Sequence, residues 1–133
     1  MPHEDGAAYH PAVATVSLGG SLVLNVTEKA NHDVSTSNKA ESDNKSWRIF
    51  QEPRSLLLTT ESAYTDTLHG IMEVKEDVDL SAATVANWEL LGDGDVLVAN
   101  RGRNERTTRI SLTYRDVLKV SNVGSKIFGK MRS

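Results

Sequence analysis

The chain contains no cysteine, which excludes both a disulfide framework and a thiolate-held metal and fits a reducing compartment. No apolar run approaches the length of a membrane-spanning helix. The amino-terminal Met-Pro-His-Glu-Asp has neither the basic nor the apolar part of a secretory leader. Positive charge is also short: the net charge is −3, so no global basic field grips nucleic acid. Aromatic residues are only 5% and apolar residues 38% of 133 residues, which bounds the fold to one small domain with a modest core.

What is present reads mainly as β structure. Val13, Thr15 and Ser17 alternate with Ala12, Ala14, Val16 and Leu18. Gly19-Gly20 breaks that run before Ser21 to Val26 resumes it. Residues 27–46 are Asn-, Ser-, Asp- and Lys-rich and read as a long loop. Trp47 to Gln51 reads as a strand, Glu52-Pro53-Arg54 as a turn, and Ser55 to Thr60 as a buried strand. Residues 72–106 read as an inserted loop, with one short helix over Leu80 to Trp88 capped by Ser81. Thr107 to Val120 is the clearest strand, and the basic, Gly- and Ser-containing tail 121–133 reads as frayed. Many short strands with little helix predict an all-β sandwich or barrel of jelly-roll type.

Three residues have metal-ligand chemistry. In a strand, residues two apart face the same way, so His3 and Asp5 reach one ion while Glu4 points away. His69, followed by Gly70, is the preferred third ligand. His10 and His32 are its rivals, one next to a proline and the other inside the polar loop. Two imidazoles and one carboxylate suit a ferrous centre with open positions for a co-substrate and dioxygen.

Arg109 and Arg115 share one parity of the last strand, with Ser111 and Thr113 between them. At about 3.3 Å per residue their Cα atoms lie roughly 20 Å apart, and inward-reaching side chains leave room for a short diacid. Guanidinium also pairs with carboxylate through two parallel hydrogen bonds, which lysine cannot do. Taken with the metal set, the pair suggests an Fe(II)- and 2-oxoglutarate-dependent dioxygenase.

Five strings resemble the AlkB family in order and type: His3-Glu4-Asp5-Gly6, Ala14 to Gly19, Glu52-Pro53-Arg54-Ser55-Leu56-Leu57, Leu68-His69-Gly70-Ile71 and Arg109 to Arg115. Among its branches the chain looks most like the sixth AlkB homologue in its fungal form. The resemblance implies a double-stranded β-helix (jelly roll) over residues 1–120, incomplete at its amino-terminus, with a flexible basic tail at 121–133. It implies iron held by His3, Asp5 and His69, and 2-oxoglutarate bound by Arg109, with Arg115 toward its metal end and Ser111 and Thr113 alongside. Ser111 stands where the family often has asparagine. The Asn-X-Tyr pair and the lid that precede the family's metal motif have no counterpart here, so a truncated gene model or isoform is expected. The implied activity is oxidative dealkylation of alkylated DNA or RNA with dioxygen as co-substrate, by a monomer in cytoplasm and nucleus, with no membrane partner. Two rivals stand beside it. One is an inactive remnant that acts by binding a partner. The other is a nucleic-acid-binding module using Arg101, Arg103, Arg106 and the Lys126, Lys130, Arg132 tail.

Overall fold

The computed structural model describes residues 1–4, 6, 9–30 and 44–118. Its strands are β1 (Tyr9–Ser17), β2 (Leu22–Glu28), β3 (Ser46–Gln51), β4 (Ser55–Thr60), β5 (Thr67–Gly70), β6 (Glu76–Asp77), β7 (Asn104–Glu105) and β8 (Ser111–Val117). Two short helices, α1 (Glu61–Thr65) and α2 (Gly94–Ala99), and a 3-10 turn at Trp88–Leu90 complete the set. The loop expected at 27–46 is thus strand at both ends, and its middle lies outside the described residues, as does the tail 121–133.

Two antiparallel three-stranded sheets face each other, one in the order β4-β1-β8 and the other β3-β2-β5. The chain crosses between the two sheets from β1 to β2, from β3 to β4, from β4 to β5 and finally back to β8, while β2 and β3 form a hairpin within one sheet, in keeping with an all-β jelly-roll-like fold. Period-two alternation assigns each strand an inner face. Val13 and Thr15 on β1, Leu24 and Val26 on β2, Ile49 and Gln51 on β3, and Leu57 and Thr59 on β4 all border the space between the sheets.

The outer faces differ. Behind the β3-β2-β5 sheet, Val23 and Phe50 pack on Leu80, Val85 and Leu97, with Trp88 and Leu91 at the margin. This is the main buried apolar cluster, and each such side chain contributes about 1.5–3 kcal/mol relative to exposure. It corrects the reading of 72–106 as a plain loop, because that segment supplies three of the five core residues. The predicted helix over Leu80 to Trp88 is absent. The backbone makes separate turns, one closing on the Ser81 carbonyl and one from Val85 into the 3-10 turn at Trp88, and between them the Ala86 amide is drawn to the Arg48 carbonyl on β3. Tertiary pairing overrides local helix propensity there. The α-helix of this segment is α2 instead.

The other sheet leaves its outer face open. Val16 is paired between Leu56 and Leu112, and Ala14 between Leu58 and Tyr114. Leu56 and Leu58 are 60% and 62% exposed, so β4 is half-buried and alternating rather than fully buried as its apolar run suggests. The last strand also begins later than expected, at Ser111. Residues before it instead meet the β1–β2 connection, where the Leu18 and Gly20 amides bond to the Ile110 and Thr108 carbonyls. Among the described residues no helix is long and apolar enough to cross a membrane.

Candidate active site

The space between the sheets is a cavity of about 290 Å³, at the small end for a small-molecule site. Its walls include His3, His69, Arg109, Ser111, Thr113 and Arg115. Six of the seven residues singled out from sequence therefore come together, and the seventh, Asp5, lies outside the described residues. Of the rival ligands, His10 is exposed on β1 and is not among the lining residues, while His32 lies outside the described residues. Among the described residues, no group of three or more His, Asp or Glu side chains gathers as a metal cage.

The two histidines are brought together by backbone pairing. His3 and His69 form an antiparallel bridge, each amide bonded to the other's carbonyl at 2.9 and 3.0 Å. Their ring centroids lie 4.6 Å apart. Gly70 makes this approach possible, because a Cβ there would stand 3.1 Å from the Cα of Pro2. The glycine after His69 thus serves close packing of the amino-terminal segment on β5 rather than a turn.

The stretch around His3 is tied down further. Glu4 forms an ion pair with Lys29, whose ammonium also donates to the Thr65 carbonyl at 2.6 Å. That pair engages the Glu4 carboxylate with Lys29. The buried Tyr64 of α1 donates its hydroxyl to the Gly6 carbonyl at 3.1 Å. Lys29 and Tyr64 were invisible as site residues in the sequence, since each lies in a stretch with no motif.

Arg109 enters the cavity from the segment before β8. Gly19 lets that segment come close, since a Cβ there would meet the Thr108 carbonyl oxygen at 2.7 Å. The Arg109 Nη2 donates to Gln51 Oε1 at 2.7 Å and to Ser17 Oγ at 3.1 Å, and Nη1 donates to Ser111 Oγ at 2.9 Å. All three acceptors are neutral. The Nε is closed off from solvent and has no partner among the described residues. Burial pulls the Arg109 pKa below the usual guanidinium range, the expected direction for a cation without a counter-ion. Gln51 and Ser17 were missed as site residues. Their one signal was polarity on the inward parity of β3 and β1.

Arg115 stacks on Tyr9, with its guanidinium carbon 5.7 Å from the ring centroid. Ser111 and Thr113 border the cavity between the two arginines, as their shared parity predicts.

The chain is 34% identical over 122 residues to a Danio rerio protein described as "Probable RNA/DNA demethylase ALKBH6". The alignment takes in 90% of this chain and 48% of that relative, so the chain spans about half its length. No protein-family model matches the chain. The similarity to ALKBH6 supports the AlkB family and accords with the all-β fold and with the strings that carry the resemblance.

The loop arginines have other work. Arg106 makes two hydrogen bonds to the buried Asp77 carboxylate, at 2.6 and 2.9 Å, and Asn104 adds a third at 3.2 Å. Arg103 pairs with Glu76 at 2.7 Å. Two of the three arginines offered as a nucleic-acid patch therefore clamp β6 and β7, which is a structural role, and the Lys126, Lys130 and Arg132 part lies outside the described residues.

Proposed function

We propose that the chain is an AlkB-type, Fe(II)- and 2-oxoglutarate-dependent dioxygenase that removes alkyl groups from nitrogen atoms of nucleic acid. One observation carries this reading. A partly buried guanidinium, with only neutral acceptors and no Nε partner among the described residues, opens on the same cavity as a paired set of imidazoles. Such a cation calls for an anionic ligand of small size. The similarity to a relative described as a probable RNA/DNA demethylase supports the substrate class.

The donor chemistry fits ferrous iron. His3 and His69 would supply imidazole, and Asp5, two residues from His3, would supply the carboxylate. Bound there, iron would activate dioxygen at the cost of oxidative decarboxylation of 2-oxoglutarate. The chain's own residues bind, orient and exclude water. Arg109 takes the distal carboxylate through its free donors, and Ser111, Ser17 and Gln51 hold its fork in place. Arg115 borders the same cavity, and on this reading it would lie toward the metal end of the co-substrate. Val13, Leu24, Val26, Ile49 and Leu57 keep the intervening wall apolar, which strengthens each electrostatic contact inside it. Once hydroxylated, the alkyl carbon would leave as an aldehyde as its C–N bond breaks and the nitrogen takes up the hydroxyl proton.

The test is anaerobic titration of the full chain with Fe(II) and 2-oxoglutarate, followed by succinate and aldehyde release on a methylated oligonucleotide. A visible charge-transfer band that His3→Ala abolishes is expected. No band, and no succinate in air, would overturn the proposal. A second reading, a binding protein without catalysis, is favoured by the open apolar face of Leu56, Leu58, Leu112 and Tyr114. Oxygen-dependent succinate formation would exclude it.

A further inference from the structure

We infer that Gln51 is a positioning residue that keeps Arg109 oriented but electrically uncompensated, and so sets the cavity's preference for a ligand with a distal carboxylate. The inference rests on the 2-oxoglutarate reading and deepens it. Gln51 is only 4% exposed and Ser17 only 1%, so both acceptors are fixed parts of the wall. They come from different sheets, β3 and β1, and converge on one nitrogen of Arg109. A guanidinium has five N–H donors and no acceptor. All three hydrogen bonds described here go to uncharged oxygens, and the Nε has no partner among the described residues.

Glutamine does here what glutamate would undo. An amide oxygen orients the fork without cancelling its charge. A carboxylate on the same atoms would form an internal ion pair, and an arriving ligand would have to compete with it. The neutrality of Gln51, Ser17 and Ser111 thus reserves the charge of Arg109 for the co-substrate. Gln51 also lies at the end of β3, opposite Leu22 on β2, where the strand pairing holds its backbone in register. Its side chain reaches inward on the same parity as Ile49, while Phe50 between them faces the core.

The experiment compares two keto acids on the full chain loaded with Mn(II), by calorimetry under nitrogen. One probe is 2-oxoglutarate; the other is 2-oxobutyrate, which keeps the keto acid and lacks the distal carboxylate. Wild type is expected to prefer 2-oxoglutarate. Gln51→Glu is expected to weaken 2-oxoglutarate by roughly 10- to 100-fold, the scale of one hydrogen bond to a charged group, and to leave 2-oxobutyrate unchanged. A merely structural role would move both probes together. Gln51→Met removes the acceptor without supplying charge and is expected to cost 2-oxoglutarate less than Gln51→Glu does. If Gln51→Glu does not fold, Gln51→Met and Ser17→Ala carry the test, each lowering only the 2-oxoglutarate affinity. A wild-type preference lost in Arg109→Met but kept in all folded Gln51 and Ser17 variants overturns this inference and leaves the function standing. A wild type with no preference between the probes overturns both.

Discussion

His3 and His69 hold each other's backbone through two hydrogen bonds, and this pairing, 66 residues apart in sequence, is what places their rings side by side. The imidazoles are therefore set by main-chain geometry before any ligand arrives. Under the proposed function, this is the rigid support that metal-binding imidazoles would need.

Gly70→Ala tests that support. The added methyl would sit 3.1 Å from the Cα of Pro2, closer than ordinary contact, and backbone cannot swing aside as a side-chain tip can. The amino-terminal segment is expected to lift from β5. Affinity for Fe(II) or Co(II), measured by calorimetry, should fall on the order of 10- to 100-fold, as it does when metal-supporting neighbours are altered. The melting temperature should move little, because the core behind β2 and β3 lies elsewhere. Unchanged metal affinity would show that the bridge does not control the site.

Arg109 should trade stability against binding. Replacing it with methionine removes a partly buried cation that has neutral partners only, and apolar groups of similar volume commonly match or exceed such a charge in stability. Arg109→Met is therefore expected to melt at or above the wild-type temperature while losing 2-oxoglutarate binding. Arg109→Lys should also bind poorly, since an ammonium cannot engage three separate acceptors and a carboxylate in one plane. Thermal melts with and without 2-oxoglutarate would check both, and a marked drop in the melting temperature of ligand-free Arg109→Met would contradict the account.

The Arg106–Asp77 pair should behave in the opposite way. Asp77 is 5% exposed and Arg106 has no other carboxylate among its described contacts, so removing the acid strands a buried cation. Asp77→Ala is expected to cost about 3–5 kcal/mol, measured by urea unfolding. Replacing Arg103, whose pair with Glu76 is exposed, should cost less than about 1 kcal/mol.

The inward parity of β1 and β8 was legible in the sequence because alternation is a local signal. Val13, Thr15 and Ser17 share one parity, as do Arg109, Ser111, Thr113 and Arg115; the alternation showed which residues go together, and the structure turns both sets inward. The far half of the core was not legible. Leu80, Val85 and Leu97 are spread over eighteen residues with no common period, and they form a core only because the chain between them wraps the outer face of β2 and β3. The apolar Ser55–Thr60 run misled for a related reason. Its composition predicts burial on both sides, but only the even-numbered leucines were free to face out, and they do. Gln51 needed the facing sheet to show its use, since nothing local distinguishes an inward glutamine that holds an arginine from one that lies on a sheet edge.

Asn87 is the clearest case of long-range pairing that no local pattern announces. Its side-chain oxygen accepts from the Phe50 amide and its nitrogen donates to the Phe50 carbonyl, both at 2.9 Å. The side chain thus does the work of a neighbouring strand along the edge of β3, which keeps that edge from standing unpaired. It also fixes Phe50 in the core and, one residue on, Gln51 in the cavity wall. Asn87→Ala leaves both backbone groups of Phe50 without these partners and is expected to destabilise by about 1–3 kcal/mol. Asn87→Asp keeps the acceptor but lacks the donor, so it should fall between the two. Hydrogen exchange gives the more specific readout: the Phe50 amide should lose protection in Asn87→Ala while the Val23 amide, at the centre of the sheet, keeps it. Equal loss at both would mean that Asn87 serves global stability and not the edge of β3.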